Sequence, residues 1–319
     1  MKRTATLLIA ISAITLEASA LRVEPIKYGD MNSWVTRNIN ESSVIGGNTK
    51  TLYEVGPAST INGNRPYVNA GGSPWATSNV YAKVAGITKG SNAVYPADRS
   101  GNGKCARLTS GMESVKVLGM VNMDVMVAGS LFLGKIHEPI TSTKNPYSKM
   151  EMGVPYTKRP VALVFDYKLD MPASDTRVKS SGFGSKKTLP GHDHAVAYVM
   201  LQRRWEDADG NIHARRVATG AQKFGKTTPW VNGHTVKLVY GDASRQPGYD
   251  ASIMGLRAGA NAYYTRNRYG RMVKIQEEGW DDPSAVPTHA IVMFSSGSGE
   301  PYVATEGMVF CIDNVGFGF

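Results

Sequence analysis

Val161-Ala162-Leu163-Val164-Phe165-Asp166-Tyr167-Lys168 is the segment whose reading decides the fold. Val161, Leu163, Phe165 and Tyr167 share one parity. Successive side chains of a strand point to opposite faces, so this parity predicts a strand with one face in a core. The same pattern recurs outward from it. Residues 104–109 follow the turn cluster Arg99-Ser100-Gly101-Asn102-Gly103. Residues 195–205 and 212–219 flank Glu206-Asp207-Ala208-Asp209-Gly210-Asn211, whose Asp-Gly pair is a hairpin signal. Residues 236–240, 289–295 and 308–317 complete the set. In 308–313 both parities are largely apolar, which predicts a central strand buried on two faces. With 34 Gly and 16 Pro punctuating the chain and no long helical period, the pattern predicts an all-β fold. Two polar stretches follow: 38–73 reads as loops around short strands, and 170–191 as another long loop.

The N-terminus has a different character. Lys2 and Arg3 precede an almost uncharged run from Thr4 to Leu16, and Ala18-Ser19-Ala20 forms a small-x-small cleavage pattern. This order predicts a secretory signal peptide over 1–20, with 21–319 as one mature domain. The run falls short of the roughly 20 apolar residues that span a bilayer, and no later segment reaches that length. The expected location is therefore outside the cytoplasm, in the periplasm or at the cell surface. The formal charge is +10, from 36 basic and 26 acidic residues. The basic residues are spread along the chain rather than gathered in an arm, which together with export argues against nucleic acid as a partner. Cys105 and Cys311 fall in strands expected to be neighbours. Both a disulfide and two buried thiols suit that placement.

Four segments in order resemble one family. They are Gly29-Asp30-Met31-Asn32-Ser33-Trp34, Ala128-Gly129-Ser130-Leu131-Phe132-Leu133-Gly134, Gly153-Val154-Pro155-Tyr156-Thr157-Lys158-Arg159-Pro160, and Phe294-Ser295-Ser296-Gly297 followed by Cys311-Ile312-Asp313-Asn314-Val315. Together they resemble the "putative carbohydrate metabolism domain" family of bacterial envelope proteins. That family more often has Glu where Asn32 stands. The resemblance implies a jelly-roll β-sandwich of two antiparallel sheets with long loops, similar to carbohydrate-binding modules and some glycanases. It supplies no catalytic residues to carry over.

Several constellations are candidates for chemistry. Asp313 near the chain end, with Asp30 or Asn32 near the start, matches the acidic pair that holds a structural calcium in jelly-roll modules. Calcium takes six to eight oxygens at roughly 2.3 to 2.6 Å. Asp207 to Asn211 alternates oxygen ligands before a Gly, but position twelve of the loop is Ala218 rather than the Glu of a calcium loop, so it reads as a turn. His192 and His194 flank Asp193 and lack an evident third zinc ligand. Glu277-Glu278-Gly279-Trp280-Asp281-Asp282 offers carboxylates beside an aromatic ring, as glycan hydrolysis requires, but reads as a solvated loop. Tyr263, Tyr264 and Arg266, with Trp205, Trp230 and Trp280, are the candidate sugar-contacting residues. Aromatic faces stack on sugar C–H faces, and Arg pairs with acidic substituents. Trp230 and Trp280 are expected in loops. No Gly-x-Ser-x-Gly elbow or Gly-rich phosphate loop is present.

These features predict an exported, non-catalytic carbohydrate-binding protein. Its partner would be an oligo- or polysaccharide, together with outer-membrane glycan-uptake proteins. The alternatives are a glycoside hydrolase on the same scaffold, which needs two facing carboxylates and a raised carboxyl pKa, and a structural or adhesive envelope subunit.

Overall fold

The computed structural model describes residues 21–117, 121–142, 144–182 and 184–319. The signal peptide expected over 1–20 lies outside the described residues.

Two sheets carry the fold, one of eight strands and one of ten. The deciding segment is the strand Ala162–Asp170 of the eight-stranded sheet. Its partners are Thr228–Lys237 on one side and Val309–Gly318 on the other, both antiparallel. Val309–Gly318 pairs in turn with Lys104–Val117, so the strand expected to be central is central, and Phe310, Cys311, Ile312 and Asp313 are all buried. Val161 is the exception to the expected parity. It precedes the strand and is half exposed.

The ten-stranded sheet is built around the hairpin of Ala195–Glu206 and Ile212–Phe224. Asp207 closes its turn by accepting hydrogen bonds from the Asp209 and Asn211 amides, at 3.0 and 2.8 Å. His289–Ser295 flanks the hairpin antiparallel. On its other side lies Met272–Trp280, which runs parallel to Ile212–Phe224, so the sheet is not purely antiparallel as expected.

Alternation explains how the sheets stack. Ala195, Ala197, Val199 and Leu201 join Ala290, Val292 and Phe294 in one core with Leu163, Phe165, Leu169 and Phe310 from the facing sheet. This is an all-β sandwich with its main core between the two layers. The opposite parity is buried as well. Val196, Tyr198, Met200, Ile291 and Met293 form a second core, covered by Ile253, Met254 and Tyr263 from the segment that follows Tyr240. Residues 236–240 are not one strand. Thr228–Lys237 belongs to the eight-stranded sheet and Val239–Tyr240 pairs in the ten-stranded one, so the chain changes layer at Leu238.

The two polar stretches hold more order than expected. Trp34–Asn40, Thr49–Val55 and Ser59–Asn62 form a three-stranded sheet, as do Thr176–Lys179, Lys187–Pro190 and Val303–Ala304. Trp34 packs in the main core. Cys105 and Cys311 do lie on neighbouring strands, and there they are buried free thiols.

Candidate functional site

A cavity of about 1010 Å³ opens beside the second core. One wall is the outward parity of Ala195–Glu206 and His289–Ser295, through Val196, Tyr198 and Met293. A second wall comes from Lys104–Val117 and its antiparallel partner Val121–Ala128, and a third from the Val80–Val84 and Ile87–Ser91 hairpin. These walls are mostly apolar.

The polar wall is made of tyrosines from four separate segments. Tyr198 projects from its strand, Tyr263 precedes the short strand Tyr264–Arg266, and Tyr147 sits in the turn Pro146–Lys149. Tyr302 comes from the connection before Val303–Ala304. The hydroxyls of Tyr198 and Tyr263 hydrogen-bond to each other. Tyr147 packs edge-on against Tyr263, with ring centroids 6.1 Å apart, and donates to the Gly299 carbonyl at 2.8 Å. Asn145 donates to the Tyr264 hydroxyl at 2.9 Å. Burial raises the pKa of Tyr147 and Tyr198 above the usual phenol range, so both keep their protons and can donate. Arg257 lies over the rings of Tyr198 and Tyr263, 5.8 and 5.5 Å from their centroids.

The cavity therefore brings together Tyr263 and Tyr264 of the candidate sugar-contacting residues. The other four lie outside its lining. Trp280 ends the strand Met272–Trp280 rather than sitting in a loop, and it packs against the second core with Arg216 over its ring at 5.6 Å. Trp230 is likewise in a strand, Thr228–Lys237, under the Arg99 guanidinium at 4.1 Å. Trp205 stacks on His213, centroids 5.5 Å apart, and Arg266 donates to His137 at 3.0 Å. Sequence reading missed Tyr147, Tyr198, Tyr302 and Arg257. Tyr198 alternates with apolar core residues and looks like one of them, and the others sit in unpatterned connections.

The acidic run is not one solvated loop: Glu278 and Asp282 are exposed, but the run up to Trp280 belongs to the strand Met272–Trp280. Glu277 lies on the strand and is buried, gripped by Arg216 through Nε to Oε1 at 2.6 Å and a second nitrogen to Oε2 at 2.5 Å. Gln202 adds a donor to Oε1, and the Arg257 backbone amide adds one to Oε2. Burial alone would raise this carboxyl, but the Arg216 charge and hydrogen bonds outweigh it and hold the pKa below the usual range. Asp281 is held low by hydrogen bonds from Arg203 at 2.6 and 3.0 Å. A general acid needs the opposite shift, so neither Glu277 nor Asp281 is placed to act as one. The carboxylates that line the cavity, among the described residues, are Glu113 and Glu300. They pair with Lys89 at 3.7 Å and Lys179 at 3.1 Å.

The calcium candidates are engaged elsewhere. Asp313 and Asp166 both accept from one nitrogen of Arg99, at 2.6 and 2.7 Å, and the other Asp313 oxygen accepts from the Asn314 amide at 2.8 Å. Asn32 accepts from the Lys104 amide at 2.8 Å and donates to Asp30 at 3.3 Å. Gly103 permits that approach, since a Cβ there would lie 2.1 Å from the Asn32 oxygen. A guanidinium already supplies the positive charge that the two aspartates require, so this set fits Arg99 and does not fit a calcium ion. His192 pairs with Asp175 at 2.5 Å, whereas His194 faces the cavity. No group of three or more His, Cys, Asp or Glu side chains among the described residues is placed to hold a metal.

The profile of the family described as "putative carbohydrate metabolism domain" matches residues 54–242, more than half of the chain. The chain belongs to this family. As a member of the putative carbohydrate metabolism domain family it has a carbohydrate-related role. Among solved structures the chain is similar to the crystal structure of "a putative glycoside hydrolase" from Bacteroides thetaiotaomicron, at 14% identity and a TM-score of 0.43, covering 84% of this chain and 74% of that one. No curated protein matches the chain by sequence. The match to the family spans the strand Ser59–Asn62, both cavity-forming hairpins, and the strands Ala162–Asp170 and Ala195–Glu206.

Proposed function

We propose that this family member is an exported, non-catalytic glycan-binding protein of the cell envelope, and that the tyrosine-walled cavity receives the sugar. The cavity itself is the observation that carries the reading. It is large enough for several sugar rings, offers tyrosine faces and hydroxyl donors, and has its lining carboxylates committed to lysines. Hydrolysis needs two carboxyl groups facing each other across the bond to be cut, and the acidic run that best matched that need is locked in ion pairs.

A glycan array probed with the mature chain tests the proposal. We expect binding to at least one polysaccharide, with Tyr264→Ala weakening it about tenfold through lost ring contact. A blank array would overturn the reading. So would the release of reducing ends from a bound polysaccharide, which would make the protein a hydrolase.

A further inference from the structure

Buried arginines in this protein usually have acidic partners. Arg37, with 1% of its side chain exposed, pairs with Glu54 and Glu138, Arg99 with Asp166 and Asp313, and Arg216 with Glu277. Arg204 has no carboxylate contact among the described residues, but its Nε donates to Gln202 at 2.7 Å and a terminal nitrogen donates to the Met152 carbonyl at 2.9 Å. Arg257 differs from all of these. Its Nε is buried without an acceptor, and its guanidinium reaches one carbonyl, that of Ile253, at the outer limit of 3.5 Å. Among the described residues it has no ion-pair partner. Arg257 is partly buried and lines the cavity, and its Nε, the atom withdrawn from water, is costly unless its donor is met.

The surrounding charge has the same sense. Besides Arg257 the lining contains Lys89, Lys144, Lys223 and Lys274, against only Glu113 and Glu300. Lys223 is neutralised by Asp250 at 2.6 Å and Lys274 donates to the Gly259 carbonyl at 2.8 Å, which leaves Arg257 as the planar fork without a mate. A low-dielectric cavity lined mostly by one sign of charge focuses its potential inward.

We infer that Arg257 anchors an anionic substituent of the glycan, a uronate carboxylate or a sulfate ester, and that the cavity therefore selects acidic polysaccharides. This rests on the glycan-binding reading above and refines its ligand class. The guanidinium presents parallel N–H donors that match two oxygens of either group, and the Tyr198 and Tyr263 rings beneath it hold its plane.

Isothermal titration calorimetry on the mature protein tests this with three probes of equal length: galacturonate oligosaccharides, sulfated galactan oligosaccharides and neutral galactan oligosaccharides. One acidic probe is expected to bind at least tenfold more tightly than the neutral one, and which of the two does so identifies the substituent. Arg257→Gln is expected to remove that preference, with a loss of about 10- to 100-fold for the acidic probe and a much smaller loss for the neutral one, and Arg257→Lys to retain part of it. Equal binding of acidic and neutral probes overturns the inference, as does an equal loss for both in Arg257→Gln. If Arg257→Gln does not fold, the wild-type comparison and Arg257→Lys decide. Should a glycan array yield only neutral ligands, the anchor is wrong and glycan binding stands. A blank array is instead a failure of the proposed function.

Discussion

Arg216 and Arg257 meet at the same carboxylate and use it in different ways. Arg216 closes a two-pronged ion pair on Glu277 and spends its remaining donors on Thr219 at 3.0 Å and on the carbonyls of Met254 and Gly255, each at 3.3 Å. Arg257 gives Glu277 only its backbone amide and turns its side chain into the cavity. One arginine is saturated inside the fold and the other is held ready with donors unmet. The difference separates charge used to build the protein from charge available to a ligand. Arg216 is fully buried and Arg257 only partly so, but the residue type is the same, and satisfaction of donors is the property that separates them.

Removing the saturated member should have the largest effect. Arg216→Met leaves Glu277 buried without a counter-charge, so urea unfolding should show a loss of about 3–5 kcal/mol. A loss below about 1 kcal/mol would mean that Glu277 is already neutral and would dissolve the contrast.

The Arg37 centre sharpens the comparison through pH. One guanidinium there faces two buried carboxylates, so one extra negative charge must be avoided. Burial pushes Glu54 up to about 8, with repulsion from Glu138 adding to it and the pull of Arg37 opposing it. In the folded protein Glu54 keeps its proton to about pH 8, whereas the unfolded chain releases it near the ordinary value of 4.5. Between those values the unfolded state binds fewer protons, so this group's contribution to stability falls as pH rises from 4.5 to 8. Glu54→Gln should flatten that slope in denaturation curves taken across the window. An unchanged slope would show Glu54 ionised in the fold.

Smaller effects follow for the unsatisfied member and for metal. Arg257→Gln orphans no ionic partner and should change unfolding free energy by no more than about 1 kcal/mol, even as it alters ligand preference. A loss matching that of Arg216→Met would assign Arg257 a structural role. At the Arg99 centre, where Arg99 already neutralises Asp166 and Asp313, EDTA should leave the Tm where it was. A fall on chelation, restored by calcium, would mean that an ion contributes to the folded state.

The strands were legible where burial imposed a period of two. His289–Ser295 matches its expected bounds, and the hairpin around Asp207 to Asn211 stands as read. All of Thr228–Lys237 before Val236 was missed because Pro229, Trp230 and Gly233 break the alternation. The register shifts along Ala162–Asp170, with Gly233 in the left-handed region at φ 63°, absorb that irregularity. Glu277 read as a loop acid because its neighbours are Glu278 and Gly279, while its counter-charge Arg216 lies 61 residues earlier on a parallel strand. The cavity was least legible. Its tyrosines and Arg257 converge from segments with no shared local pattern, and only Tyr263 and Tyr264 stood in an aromatic cluster along the chain.

The middle position of Val309–Gly318 has a consequence for how the chain reaches this state. Its two neighbours, Lys104–Val117 and Ala162–Asp170, precede it by well over a hundred residues and do not pair with each other. During synthesis the eight-stranded layer therefore waits with a gap at its centre and two raw edges until the segment from Val309 arrives to join them. Val23–Pro25 then finds its own partner on that same late segment. Such long-range closure makes acquisition of the native state slow and leaves partly assembled chains prone to edge-to-edge association.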